Sequence, residues 1–78
     1  MIAPVCLDTL PPGKKAVIVS VHGEAAMTQR LREIGFTPTA EVECLFRSAM
    51  GDPTAYRICG TVIALRREDS RKILVFPC

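Results

Sequence analysis

The chain has no tryptophan, one tyrosine and one histidine in 78 residues. Without tryptophan, and with Tyr56 alone, it has little to line a proline-peptide groove. The lone His22 leaves four cysteines, Cys6, Cys44, Cys59 and Cys78, without an imidazole partner of telling spacing. No two cysteines stand at the C-x-x-C spacing of a zinc site. The glycines, at 13, 23, 35, 51 and 60, are scattered singly, so no phosphate-binding loop is present. The longest apolar runs, Ala16–Val19, Val62–Leu65 and Ile73–Phe76, hold four residues each, against the roughly 20 that a membrane helix needs. The opening Met1-Ile2-Ala3-Pro4 has neither a positive region nor a long apolar core. We therefore expect no signal peptide and a cytoplasmic protein.

The net charge is small as well. A net charge of +2 is too small to mark a nucleic-acid binder, and too few aromatics accompany the arginines for base stacking. The hydrophobic fraction of 49% is high enough to rule out disorder and to predict one small globular domain over residues 1–78. Free thiols are the expectation, with Cys44 and Cys59 as small core residues. With no nucleophile paired to a base, the chain reads as a non-enzyme.

What is present is turn and strand chemistry. The stretch Met50–Asp69 organises the chain. It holds a tight turn at Met50-Gly51-Asp52-Pro53, a strand at Thr54–Cys59 and a corner at Gly60-Thr61. A second strand follows at Val62–Leu65, and then the basic pair Arg66-Arg67. Earlier, Ala16–Val21 is short and rich in β-branched residues, which predicts a strand. Glu24–Ile34 predicts the one full helix, with Met27, Leu31 and Ile34 on a single stripe and Gly35 placed to end it. Val42, Cys44 and Phe46 alternate with polar residues, the pattern of a half-buried strand. Arg67–Lys72 predicts a short turn and Ile73–Phe76 a last strand. The expected fold is mainly β: a small five-stranded antiparallel barrel with a helix after the first strand and a short C-terminal helical turn. A basic side is also expected from Arg47, Arg57, Arg66, Arg67, Arg71 and Lys72, as a solvated face or a docking patch for an acidic protein surface.

Four marks in this order resemble a known family. They are Leu7-x-x-Leu10-x-x-Gly13, Arg30-Leu31-x-x-Ile34-Gly35-Phe36-x-Pro38, Gly51-Asp52-Pro53, and Gly60-x-x-Ile63-Ala64-Leu65-Arg66. Together they resemble the FeoA family, ferrous iron transport protein A, and the related SH3-like C-terminal domain of iron-dependent repressors. Two residues depart from the family pattern. Thr39 stands where glycine is usual after the proline. Ser70 stands where alanine is common, which suggests a looser contact there.

The resemblance implies an SH3-like barrel and a small accessory of ferrous iron uptake. Its implied partner is the cytoplasmic GTPase part of the FeoB membrane transporter, with no required cofactor, no nucleic acid and no membrane insertion. A monomer or weak homo-oligomer is expected. The docking surface is expected on the helix and its end (Met27, Arg30, Leu31, Gly35, Phe36) and on the basic turn (Arg66, Arg67). The alternative is a regulatory module that binds Fe(II) or another transition metal. It would draw on His22, Cys6, Cys59 and Cys78, with oxygens from Glu24, Glu41, Glu43 and Asp52.

Overall fold

The structure is a computed structural model that describes residues 3–78; Met1 and Ile2, half of the opening read against a signal peptide, lie outside it. Six strands form one antiparallel sheet: β1 (Val5–Cys6), β2 (Lys15–Val21), β3 (Glu41–Arg47), β4 (Thr54–Ile58), β5 (Thr61–Leu65) and β6 (Ile73–Pro77). Their spatial order is β1-β6-β2-β3-β4-β5. Among the described residues two α-helices, α1 (Ala25–Ile34) and the single turn α2 (Arg67–Ser70), and a short 3-10 helix at Leu7–Thr9 interrupt them. The strand beyond the expected five is β1, whose two residues pair with Val75 and Leu74 of β6. Two residues carry no readable periodicity, so only pairing reveals them.

β2 is central because it pairs with β3 along its first half and with β6 from Ala16 to Val21, with a register shift between Ile18 and Ser20. Ala16 and Ile18 point inward and are buried, as their β-branched surroundings predict. They join Leu7, Leu10, Leu31, Phe36, Val42, Cys44, Tyr56, Ile58, Leu65, Ile73 and Val75 in one core. Burying a Leu, Ile, Val or Phe side chain of this kind contributes roughly 1.5–3 kcal/mol. Cys44 therefore serves as the small core residue expected of it.

Three expectations fail in detail. First, Phe46 is 61% exposed rather than in line with Val42 and Cys44. The β3–β4 register shifts between Cys44 and Phe46, and the extra residue breaks the alternation. Second, the hairpin corner is Cys59-Gly60, with Ile58 paired to Thr61. Both corner residues have positive φ, 49° and 76°, the mark of a type I′ turn, which leaves Cys59 exposed and out of the core. Third, Ser70 is 1% exposed, so the turn beneath it is tightly packed rather than loose.

α1 ends as its sequence predicts. The Phe36 amide donates to the Leu31 carbonyl at 2.9 Å and the Gly35 amide to the Arg32 carbonyl at 3.1 Å. This pair of bonds is a Schellman motif, and Gly35, at φ 132°, takes the conformation that suits glycine. Leu31 and Phe36 are both buried, completing the apolar contact that accompanies the motif.

Candidate docking surface

The hairpin β4–β5 joins two parts of the candidate surface, the end of α1 and the basic turn. At its Cys59-Gly60 corner it meets the end of α1, where the Cys59 Sγ lies 3.9 Å from the Gly35 carbonyl oxygen. At its other end, Leu65 pairs with Thr54, and the chain turns into α2. There the Asp52 carboxylate accepts the Arg67 amide at 2.9 Å, satisfying one of the free donors that opens a helix. The Gly51-Asp52-Pro53 turn thereby fixes the basic pair that follows β5.

The expected docking residues fall into two places. Arg30 is exposed and Met27 half-buried on neighbouring turns of α1, with Gly35 at its end. Leu31 (3%) and Phe36 (0%) are core residues and support this patch from below. Arg66 and Arg67 are exposed at the far end of β5. Five strand residues at about 3.3 Å each place that end roughly 16 Å from the Cys59 corner. The wider basic side is not a single cluster either. Arg47 donates to the carbonyls of Asp8 and Leu10, and Arg57 pairs with Glu43 at 3.1 Å.

The alternative metal ligands are likewise dispersed. His22 Nε2 is 2.8 Å from the Ser20 hydroxyl, and Cys6 lies on β1. The Cys78 amide donates to the Lys15 carbonyl. Cys59 shares an open groove of about 310 Å³ with Glu41 and Glu43, but those carboxylates face Lys15 (3.9 Å) and Arg57. Among the described residues no three His, Cys, Asp or Glu side chains are grouped to hold an ion, so the residues named for a metal do not fit one.

Burial alters two groups beneath this surface. It pushes the Cys44 thiol above its ordinary value, against the pull of the Arg47 charge. It likewise raises Tyr56, which hydrogen bonding to Ser70 and Thr54 partly offsets.

Sequence reasoning missed the groove and the Asp52 cap. The groove had a signal in Glu41 and Glu43, two residues apart and hence on one strand face. The cap had none, because Asp52 and Arg67 meet only through folding.

The FeoA domain profile matches residues 5–77. The chain belongs to the FeoA family. A Porphyromonas gingivalis (strain ATCC BAA-308 / W83) protein, the Fe(2+) transport protein A/Fe(2+) transporter FeoB fusion protein, is 38% identical over 69 residues. The match covers 88% of this chain and 8% of that protein, so the chain spans a small part of that relative's length. The solution structure of FeoA from Chlorobium tepidum is 29% identical, covering 94% of this chain and 70% of that one, with a TM-score of 0.89. The crystal structure of Stenotrophomonas maltophilia FeoA complexed with zinc, described as an SH3 domain protein, is 32% identical. It covers 91% of this chain and 88% of that one, with a TM-score of 0.81. A manganese-dependent transcriptional repressor at 15% identity shares the fold alone (TM-score 0.87, covering 100% of this chain and 38% of that one). The expected mainly β, SH3-like, barrel-like fold is thus present. FeoA proteins are associated with ferrous iron transport, and theirs is not a known enzyme family. No helix among the described residues is long and apolar enough to cross a membrane.

Proposed function

We propose that this chain is a cytoplasmic accessory of ferrous iron uptake. It docks on the cytoplasmic GTPase part of a FeoB-type transporter and modulates uptake without chemistry of its own. The observation that carries this reading is the fusion relative, in which an FeoA sequence 38% identical to this one shares a single chain with a transporter. Covalent linkage raises the effective concentration of two modules, which is useful only where they work together. The docking surface is the exposed side of α1 and its end, built on Met27, Arg30 and Gly35 over Leu31 and Phe36, together with Arg66 and Arg67.

The test is titration of the isotope-labelled chain with the isolated cytoplasmic domain of such a transporter. Amide shifts concentrated on Met27–Phe36 and Arg66–Arg67 are the expected result. An unchanged spectrum at saturating domain would overturn the docking role.

A further inference from the structure

We propose that two copies of this chain pair antiparallel through the free edge of β5, about a two-fold axis at Ile63. β5 is one of two strands at the margin of the sheet, and the other, β1, is only two residues long. Natural sheets blunt their edges with charge, proline or cover. β5 reads Thr61-Val62-Ile63-Ala64-Leu65 and has none of the first two. Val62 is 55% exposed, and Thr61 and Ala64 are also exposed.

The type I′ corner fixes which backbone groups are free. Ile58 and Thr61 flank a two-residue loop, so they form the hydrogen-bonded pair that closes it. Along an antiparallel ladder such pairs alternate, which leaves Thr61, Ile63 and Leu65 bonded to β4. The N–H and C=O groups of Val62 and Ala64 then point away from the sheet. Neither residue takes part in a backbone hydrogen bond outside the strand ladders among the described residues.

A second copy fits this pattern in one register. A two-fold axis at Ile63 sets Val62 opposite Ala64 of the other copy, and Ala64 opposite its Val62. Both residues carry outward-facing groups, so four hydrogen bonds form in two closely spaced pairs. The register sets Val62 opposite Ala64, Ile63 opposite Ile63 and Thr61 opposite Leu65, with no charge opposite a like charge. Arg66 is still extended, so continuing the register by one residue sets it opposite Gly60 of the other copy. Gly60 and its neighbour Cys59 line the groove that holds Glu41, Glu43 and Arg57. Glu43 already pairs with Arg57 at 3.1 Å, whereas Glu41 has only Lys15 at 3.9 Å. Glu41, the more loosely paired of the two, is therefore the carboxylate left to take Arg66 of the other copy, twice by symmetry. Charge complementarity selects a second copy as the occupant.

The contact is small, below the roughly 1,200 Å² of a standard interface, so the dimer is weak, with a Kd on the order of 100 μM. The test is sedimentation equilibrium and amide hydrogen exchange on the reduced full chain, from about 10 μM to about 1 mM, a range that brackets such a Kd. Reduction removes disulfide dimers through the exposed Cys59 and Cys78. The expected result is a concentration-dependent dimer in which the Val62 and Ala64 amides, fast-exchanging when dilute, become protected. Ala64→Pro, which removes an outward donor, is expected to abolish the dimer, with the dilute spectrum confirming the fold. Val62→Lys, a charge on the edge, provides the same test without a backbone change. Arg66→Glu is expected to weaken association roughly tenfold, about threefold for each of the two symmetric exposed pairs. Adding Glu41→Arg to it is expected to restore most of that loss, which no folding defect would do. A chain that stays monomeric at the top of the range would overturn the proposal, as would a dimer indifferent to these variants. Protection of Val62 and Ala64 only when the transporter domain is added would also overturn it, giving the edge to that partner.

Discussion

The Cys59 sulfur lies against the carbonyl of Gly35, and a methyl group added at Gly35 would come within 2.6 Å of that sulfur. Two turns are locked together here, the end of α1 and the corner of the β4–β5 hairpin. Each depends on left-handed backbone, Gly35 at φ 132° and Cys59 at 49°. Glycine is needed at 35 both for its conformation and for the missing side chain.

Gly35→Ala is therefore expected to destabilise the fold by about 2 kcal/mol, through backbone strain and the clash with Cys59. Adding Cys59→Gly removes the clashing sulfur and relaxes a corner that prefers glycine. The double variant is expected to regain part of the loss. Urea unfolding of both variants measures this, and equal midpoints for the single and double variants would show that the two turns do not touch in the way described.

Thr39 offers the opposite change. It holds φ at 73°, a left-handed conformation that costs a β-branched residue about 1 kcal/mol or more. Its amide donates to the Ile18 carbonyl at 2.9 Å, which keeps it there. Thr39→Gly is expected to raise stability by about 1 kcal/mol, less what glycine loses in the unfolded chain. Thermal unfolding reads this as a higher Tm; a lower one would mean that the threonine side chain contributes more than its backbone costs.

Thr39 shows why some of this molecule was legible in advance. Its departure from the family's glycine marked the spot, and the positive φ is the physical reason. The α1 stripe was legible for a similar reason, since Met27, Leu31 and Ile34 keep helical spacing up to a terminating Gly35. The hairpin corner was misplaced by one residue because a type I′ turn needs two left-handed positions and only one of them is glycine. Phe46 was misread because a bulge depends on the partner strand, which no local pattern encodes. The candidate docking residues were named individually, but their separation into two patches follows from the length of β5, a tertiary fact.

The carboxylate of Asp52 is expected to matter through Arg67 alone. It satisfies the first amide of α2, which has no side-chain cap of its own. Asp52→Ala is expected to cost about 1 kcal/mol, the usual worth of a cap, whereas Asp52→Asn retains most of it. Hydrogen exchange at Arg67 provides the direct reading, and unchanged protection in the alanine variant would refute the cap.

Alkaline pH is expected to weaken the fold. Cys44 and Tyr56 have folded values raised by burial above the ordinary 9.0 and 10.0. Above those ordinary values the unfolded chain has released protons that the folded chain still holds. The unfolded state then binds fewer protons, so stability falls as pH rises. Below 9.0 the contribution of these two groups is fully present. Unfolding midpoints across this window are expected to drop, first as the thiol titrates and then as the phenol does. Tyr56→Phe is expected to flatten the upper part of that drop, and a slope identical to the parent's would assign the loss to other groups.

The separation of the two basic patches makes docking on the transporter domain divisible. Arg30 on α1 and Arg66 beyond β5 are both exposed and have no ion pair among the described residues. Charge reversal at either is expected to weaken binding to the domain, by roughly fivefold for a charge at the interface rim. The two arginines stand on different elements, α1 and the turn after β5, and neither shares an ion pair among the described residues, so their effects on binding free energy are expected to add. Arg30→Glu with Arg66→Glu is then expected to weaken binding roughly 25-fold. Isothermal titration at low chain concentration measures this where self-pairing through β5 does not compete. If Arg30→Glu alone acts, the surface is the helix and its end. If Arg66→Glu alone acts, it is the hairpin terminus held by Asp52. If neither changes the affinity, the partner sits on another face of the sheet, and the arginines are only a solvated surface.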